Sequence, residues 1–266
     1  MKNLIKKLLS LIIACSCSFS LLACLDTNPQ KCSHSWSEAN CKFPQTCNLC
    51  QETRGTVSDH NYKNGACITC GEADPKVKQL DLGKTAYQNL NLLSSYCSIM
   101  AKSIYRAWYF AIYKADNSSY LLNPKLGIDQ YAKDTMLGSD LIIQSIDKYL
   151  ETLNLNSSND IIRLSVLATN SGAVNVVIIA YEIGNITKNM DEALNKAKTA
   201  LEKMSNEYDN ITEYSTLKNY YSDTLAFYNF VKSPSGNFTQ FTPTITNYET
   251  KTNQHKSQLG FIYKTK

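Results

Sequence analysis

Eight side chains suited to binding a soft or borderline metal lie within 39 residues: Cys32, His34, Cys41, Cys47, Cys50, His60, Cys67 and Cys70. Four of them form two CxxC pairs, Cys47-x2-Cys50 and Cys67-x2-Cys70, with 16 residues between the pairs. That spacing is a strong zinc-site signal. A tight turn lets two thiolates occupy two corners of a tetrahedron about 2.3 Å from the ion, and a second turn supplies the other two. Gly71, just after the second pair, suits the close backbone approach such turns need. Eight ligands are enough for two structural zinc ions. Two partitions use all eight. In the first, Cys47, Cys50, Cys67 and Cys70 share one ion, leaving Cys32, His34, Cys41 and His60 for the other. In the second, His34, Cys41, Cys47 and Cys50 hold one ion and Cys32, His60, Cys67 and Cys70 the other. Spacing favours the first.

The competing reading is three disulfides, since short exported cysteine-rich stretches are often disulfide scaffolds. Metal is preferred, because disulfides do not need two histidines at matched positions. Either way the stretch needs a staple, for it has too few apolar residues to fold unaided. A catalytic zinc keeps one coordination position open, usually beside a general base. The fully supplied ligand sets and the lack of an HExxH pattern favour closed, structural sites. Glu38 and Asp59 are the nearby acids.

The ligands also form an internal repeat. His34-x-Trp36-x4-Cys41 matches His60-x-Tyr62-x4-Cys67, and each unit ends in a CxxC pair. Ala39 and Ala66 lie close before the cysteines. The first unit carries an extra Lys42–Thr46 segment before its pair. The second is shorter by one cysteine and cannot complete four ligands alone. The pattern resembles the tandem Cys/His zinc-ribbon-like repeats of many bacterial surface lipoproteins, which read roughly H-x-W-x2-A-x-C-x2-P-x2-C-x2-C-G. It covers His34 to Gly71. Gln51 stands where that family usually has glycine.

A second resemblance lies upstream. Lys2, Lys6 and Lys7 precede an apolar run from Leu8 to Leu22, the layout of a secretory signal. Leu21-Leu22-Ala23-Cys24 resembles the bacterial lipobox, which implies cleavage before Cys24 and lipidation of its thiol. Two or three acyl chains would anchor the chain stably. A rival lipobox, Ile12-Ile13-Ala14-Cys15, leaves a much shorter apolar run. An uncleaved membrane helix is disfavoured, because the run is shorter than the roughly 20 residues that span a bilayer. The expected location is therefore extracytoplasmic, at a membrane. The whole chain carries +4, but removing Lys2, Lys6 and Lys7 leaves 24 basic against 23 acidic residues. This near-neutral balance gives no reason to expect nucleic acid as a partner.

The remainder has helical periodicity. Residues 72–83 are expected to be a linker between the Cys/His module, 32–71, and a bundle covering 84–266; residues 24–31 act as anchor and spacer. Ala86, Leu90, Leu93, Cys97, Met100, Ile104 and Trp108 recur at steps of four and three, as on one face of a long helix. A second helix is expected over 128–153. A third starts near Ser157–Asp160 and ends at Gly184, with a small polar middle at Asn170–Ala173 that suggests close packing or a kink. Thr187 is expected to cap a fourth, with Met190, Leu194, Ala197, Leu201, Met204 and Tyr208 as its stripe. A fifth carries Tyr214 to Tyr228, and Thr242-Pro243 is expected to open the last. The fold class is therefore mainly α: an antiparallel helical bundle preceded by a small zinc-ribbon-like Cys/His module.

Chemistry in the bundle is sparse. Tyr105, Trp108 and Tyr109, with Phe110, Tyr220, Tyr221 and Tyr228, could line an apolar or sugar-binding groove, although core packing is the simpler reading. His255 stands alone on a polar stretch, where solvation is expected. Cys97 reads as a buried small hydrophobe. Arg106 and Arg163 are two of three arginines, the third being Arg54, and either could pair with an acid such as Asp140. There is no nucleophile–base pair, phosphate loop or paired-carboxylate motif. The expected role is binding or interaction with a protein or small-molecule partner. A receptor with a pocket between helices is the alternative, and an extracytoplasmic enzyme is disfavoured.

Overall fold

The computed structural model describes residues 32–155, 159–207 and 212–263. The signal segment, Cys15 and Cys24 lie outside the described residues. The chain divides into two units, Met1–Ala73 and Asp74–Lys266.

The described part of the first unit is built from two short antiparallel hairpins. Strand β1 (Gln45–Thr46) pairs with β2 (Thr53–Arg54), and β3 (Tyr62–Lys63) with β4 (Ala66–Cys67). Single bridges Trp36↔Cys47 and Ala66↔Ala73 extend them. Asn64-Gly65 joins β3 to β4 with both residues at positive φ, the turn chemistry of a two-residue hairpin.

The second unit is helical throughout its described regular structure. Its elements are α1 (Pro75–Tyr113), α2 (Ser118–Leu122), α3 (Pro124–Thr135), α4 (Ser139–Thr152), α5 (Asp160–Leu167), α6 (Asn170–Ile183), α7 (Ile186–Glu207), α8 (Thr212–Lys232) and α9 (Phe238–Tyr263). Helix α1 is the spine, packing against α6, α7, α8 and α9. Its expected stripe is in the core: Ala86, Leu90, Leu93, Cys97, Met100 and Ile104 are fully buried, while Trp108 is only partly so. Cys97 is an inert core residue whose thiol is pushed far up by burial.

Five expectations about the helices need correction. Residues 72–83 are not a linker: Asp74 caps α1 by accepting from the Lys76 N–H, and Pro75 occupies the first turn. The expected 128–153 helix is two, because Met136 turns left-handed (φ 63) and Gly138 opens α4. The third helix also splits. Asn159 caps α5; Ser157 and Ser158 lie outside the described residues. Thr169 then caps α6 by accepting from the Gly172 N–H, and the chain bends by 102° between the two. Thr187 lies inside α7, which starts at Ile186 after Asn185 turns left-handed. Tyr208 lies outside the described residues. Finally, α9 starts at Phe238, where Asn237 accepts from the Gln240 N–H, so Pro243 sits within the helix. Among the described residues, no single helix is long and apolar enough to cross a membrane.

Candidate metal centres

The hairpins converge two sets of four side chains, Cys32, His34, Cys47 and Cys50 in one, and Cys41, His60, Cys67 and Cys70 in the other. Within each set the ligand atoms all lie within 4.8 Å of one another. Cys32 Sγ and Cys47 Sγ are 3.8 Å apart, Cys41 Sγ and Cys67 Sγ 3.6 Å. His34 Nδ1 is 3.4 Å from Cys50 Sγ, and His60 Nδ1 3.3 Å from Cys70 Sγ. A tetrahedral ion with metal–sulfur bonds of about 2.3 Å requires sulfur–sulfur edges of about 3.8 Å. A disulfide would require about 2.05 Å, and the described cysteines are free. The two groups can each hold a metal ion.

Neither sequence-based partition matches these sets. The second comes nearer, but Cys32 and Cys41 are exchanged. The reason is the register of the repeat. Trp36 pairs with Cys47, and Tyr62 pairs with Cys67. Cys47 is therefore the counterpart of Cys67, and the apparent match of Cys41 with Cys67 is a coincidence of spacing. The backbone agrees. Cys47 N donates to Glu52 O and Gln51 N to Cys47 O, as Cys67 N donates to Glu72 O and Gly71 N to Cys67 O. Asn48 N donates to Ser35 O, as Ile68 N does to Asn61 O.

In that register Ser58 stands two residues before His60, where Cys32 stands before His34. Serine leaves the second centre one thiolate short. The long loop of the first repeat fills the place: Ser58 N donates to Asn40 O, and Ser58 Oγ to Ala39 O. These bonds hold residues 39–40 beside Ser58 and bring Cys41 to the second centre. The longer loop of the first unit, between Trp36 and Cys47, thus carries a ligand across to the other one.

Both histidines are oriented from behind. His34 Nε2 lies 3.4 Å from Glu52 Oε2, and His60 Nε2 3.2 Å from Glu72 Oε2. A carboxylate on the far nitrogen fixes the ring and leaves Nδ1 for the metal. Each ring also stacks on the aromatic two residues on, Trp36 at 4.8 Å and Tyr62 at 5.5 Å between centroids. The Arg54 guanidinium lies 4.3 Å over Trp36. Glu52 and Glu72 were not singled out in the sequence, although each follows its CxxC pair by two residues.

The knuckles are built to hold thiolates. The N–H groups of Cys70 and Thr69, with His60, bring Cys67 down to about 5 against its burial. Burial pushes Cys47 up, but the Cys50 and Leu49 N–H groups and His34 bring it down to about 6. Cys50 and burial push Cys32 up to about 12, while burial and Cys67 push Cys41 up to about 11. A cation among the three sulfurs of either centre would displace the remaining protons.

Gln51 and Gly71 occupy the same position after their knuckles, with φ of 62° and 78°. The left-handed conformation costs a non-glycine residue about 1–2 kcal/mol. Gln51→Gly is therefore expected to stabilise the first centre by about 1 kcal/mol, part of the gain being offset by the freer unfolded glycine. A higher chelator concentration at half-loss of metal checks this.

The other singled-out residues scatter. Tyr105 and Tyr109 line surface grooves on α1. Trp108 packs edge-on against Phe238 and Phe241. Phe110 and Tyr220 are fully buried, and Tyr228 nearly so. Arg163 makes a two-pronged pair with Asp147 and a further bond to Asp160, not Asp140. His255 is not solvated. Its side chain is 15% exposed, its Nε2 lies 2.9 Å from Asp223 Oδ2, and its ring rests against Tyr220.

No protein-family model matches the chain, and no curated protein or solved structure is significantly similar to it.

Proposed function

We propose that the protein is a lipid-anchored, extracytoplasmic surface protein whose two Cys/His centres hold structural zinc and whose helical unit binds a partner. The observation that carries the metal part is that all four positions of each centre are supplied by the chain. A closed four-ligand site stabilises a fold and leaves no position for substrate. With a sulfur-rich set and one imidazole in each centre, zinc is the ion of choice. The centres are accordingly read as structural, and the helical unit as the binding part. The anchor rests on Lys2, Lys6, Lys7, the apolar run and Leu21-Leu22-Ala23-Cys24.

The anchor is tested by labelling cells with a radioactive fatty acid and separating membranes. The wild type is expected to carry label and to sediment with membranes. Cys24→Ser is expected to lose the label. Equal labelling of Cys24→Ser, or an unlabelled wild type in the soluble fraction, would rule the anchor out.

A further inference from the structure

Among the described residues, Arg106 is the one arginine of the helical unit without a carboxylate partner. Arg163 has two. Arg106 is a part-buried residue on α1, and the one polar contact of its guanidinium among the described residues is a long 3.4 Å approach to the backbone carbonyl of Asp134. The Asp134 carboxylate is engaged elsewhere, by Lys114 at 2.7 Å and Gln130 at 2.8 Å. A guanidinium with no carboxylate beside it keeps its paired donors available to an anion from outside the chain.

The surroundings fit such a ligand. Tyr105 and Arg106 line two adjoining grooves. One, of about 430 Å³, lies between α1 and α3 and includes Tyr109, Lys114 and Lys133. The other, of about 370 Å³, lies between α1 and α9 and includes Lys102 and Glu249. Together Lys102, Arg106, Lys114 and Lys133 face only two carboxylates, Asp134 and Glu249, so the paired grooves carry net positive charge. Lys102 and Glu249 are 3.9 Å apart, a loose pair. Tyr109 is 40% exposed, and neither the Tyr105 nor the Tyr109 hydroxyl has a hydrogen-bond partner among the described residues. The Tyr105 ring stacks on Phe238 and the Tyr109 ring packs on Tyr113, so their hydroxyls rather than their faces are offered to a ligand. An arginine fork takes the two oxygens of a carboxylate or phosphate, and the unpartnered tyrosine hydroxyls suit a ring that carries hydroxyl groups.

We infer that the Arg106 grooves bind an acidic saccharide, a sugar ring bearing a carboxylate or phosphate. This rests on the reading of the helical unit as the binding part of the protein. Metal content and membrane labelling of the same preparation report on the rest of that reading separately.

The test is titration of the purified full-length protein with digalacturonate and with glucose 1-phosphate, followed by calorimetry. Lactose serves as the neutral sugar and inorganic phosphate as the bare anion. Saturable binding of one or both acidic sugars is expected, at least tenfold tighter than either control. Arg106→Gln is expected to weaken it at least tenfold while leaving helical content and melting temperature unchanged. Tyr109→Ala, at an exposed ring, is expected to weaken the acidic sugars but not phosphate. The inference is overturned by lactose binding as well as the acids, by phosphate alone matching them, by Arg106→Gln binding undiminished, or by no acidic sugar binding at all. Should Arg106→Gln fail to fold, the wild-type comparison of acidic with neutral sugars still decides the matter.

Discussion

Stripping the metal is expected to unfold residues 32–73 and leave the helical unit standing. The described part of the first unit has little else to hold it: among its described residues the buried hydrophobic side chains are Cys47 and Cys67, both ligands, and the four strands are two residues each. Structural zinc contributes roughly 10–16 kcal/mol of folding free energy in small modules, more than such a unit can supply from burial. The second unit has its own cores along α1, which include Leu93, Met100 and Phe110 in one and Tyr87, Leu90 and Leu217 in the other. A strong chelator under reducing conditions should therefore abolish the fluorescence signature of Trp36 while far-ultraviolet dichroism keeps nearly all its helical signal. A Trp108→Phe background isolates Trp36, since the chain has two tryptophans. Unchanged Trp36 emission after complete metal removal would contradict the account.

The crossing of Cys41 sharpens this expectation. Cys41 lies in the chain between His34 and Cys47, two ligands of the other centre. Cys41→Ser should open the second centre and free the loop that joins the ligands of the first. Metal content is expected to fall to one ion or fewer, with the survivor lost at a lower chelator concentration than in the wild type.

Gly172→Ala is expected to be the most damaging conservative change in the helical unit. A Cβ there would sit 2.3 Å from the Val166 carbonyl oxygen and 2.5 Å from the Thr169 hydroxyl that caps α6. The first atom is backbone and cannot swing away, and the second makes the cap. Relief would require opening the 102° bend between α5 and α6. Both helices feed the core through Leu164, Leu167, Ala173, Val176 and Val177. Overpacking of this kind costs about 2–3 kcal/mol, which in a unit of this size lowers the melting temperature by about 5–10 °C. Gly138→Ser is the control. Nothing lies within 4 Å of a Cβ at Gly138, its φ is −66°, and serine is a good helix cap. A melting temperature for Gly172→Ala within a degree of the wild type would refute the close approach.

The helical character and the face that α1 buries were legible in the residues, because Leu90, Leu93, Cys97, Met100 and Ile104 repeat at the helical period over several turns. The breaks were not. Met136 and Asn185 turn left-handed without being glycine, and at Thr169, which caps a new helix, the small polar stretch Asn170–Ala173 suggested a kink but not a separate helix. Such local hydrogen bonding leaves little trace in periodicity. The eight ligand types were visible too, but not which joins which. Their assignment depends on the pairing of Trp36 with Cys47 and Tyr62 with Cys67 across loops of unequal length. Loop length hides that register from a comparison of spacings. His255 was misplaced for a similar reason, since Asp223 lies on a different helix and only packing brings the two together.

The most direct measurement is the native mass of the freshly purified chain, kept reduced and free of chelator, with its thiols counted before and after the metal is removed. The account predicts two zinc ions per chain and six thiols in the module that become reactive only when the metal leaves. A metal-free chain whose mass shows the six thiols joined as three disulfides would contradict it, and the tetrahedral reading of both centres would be withdrawn.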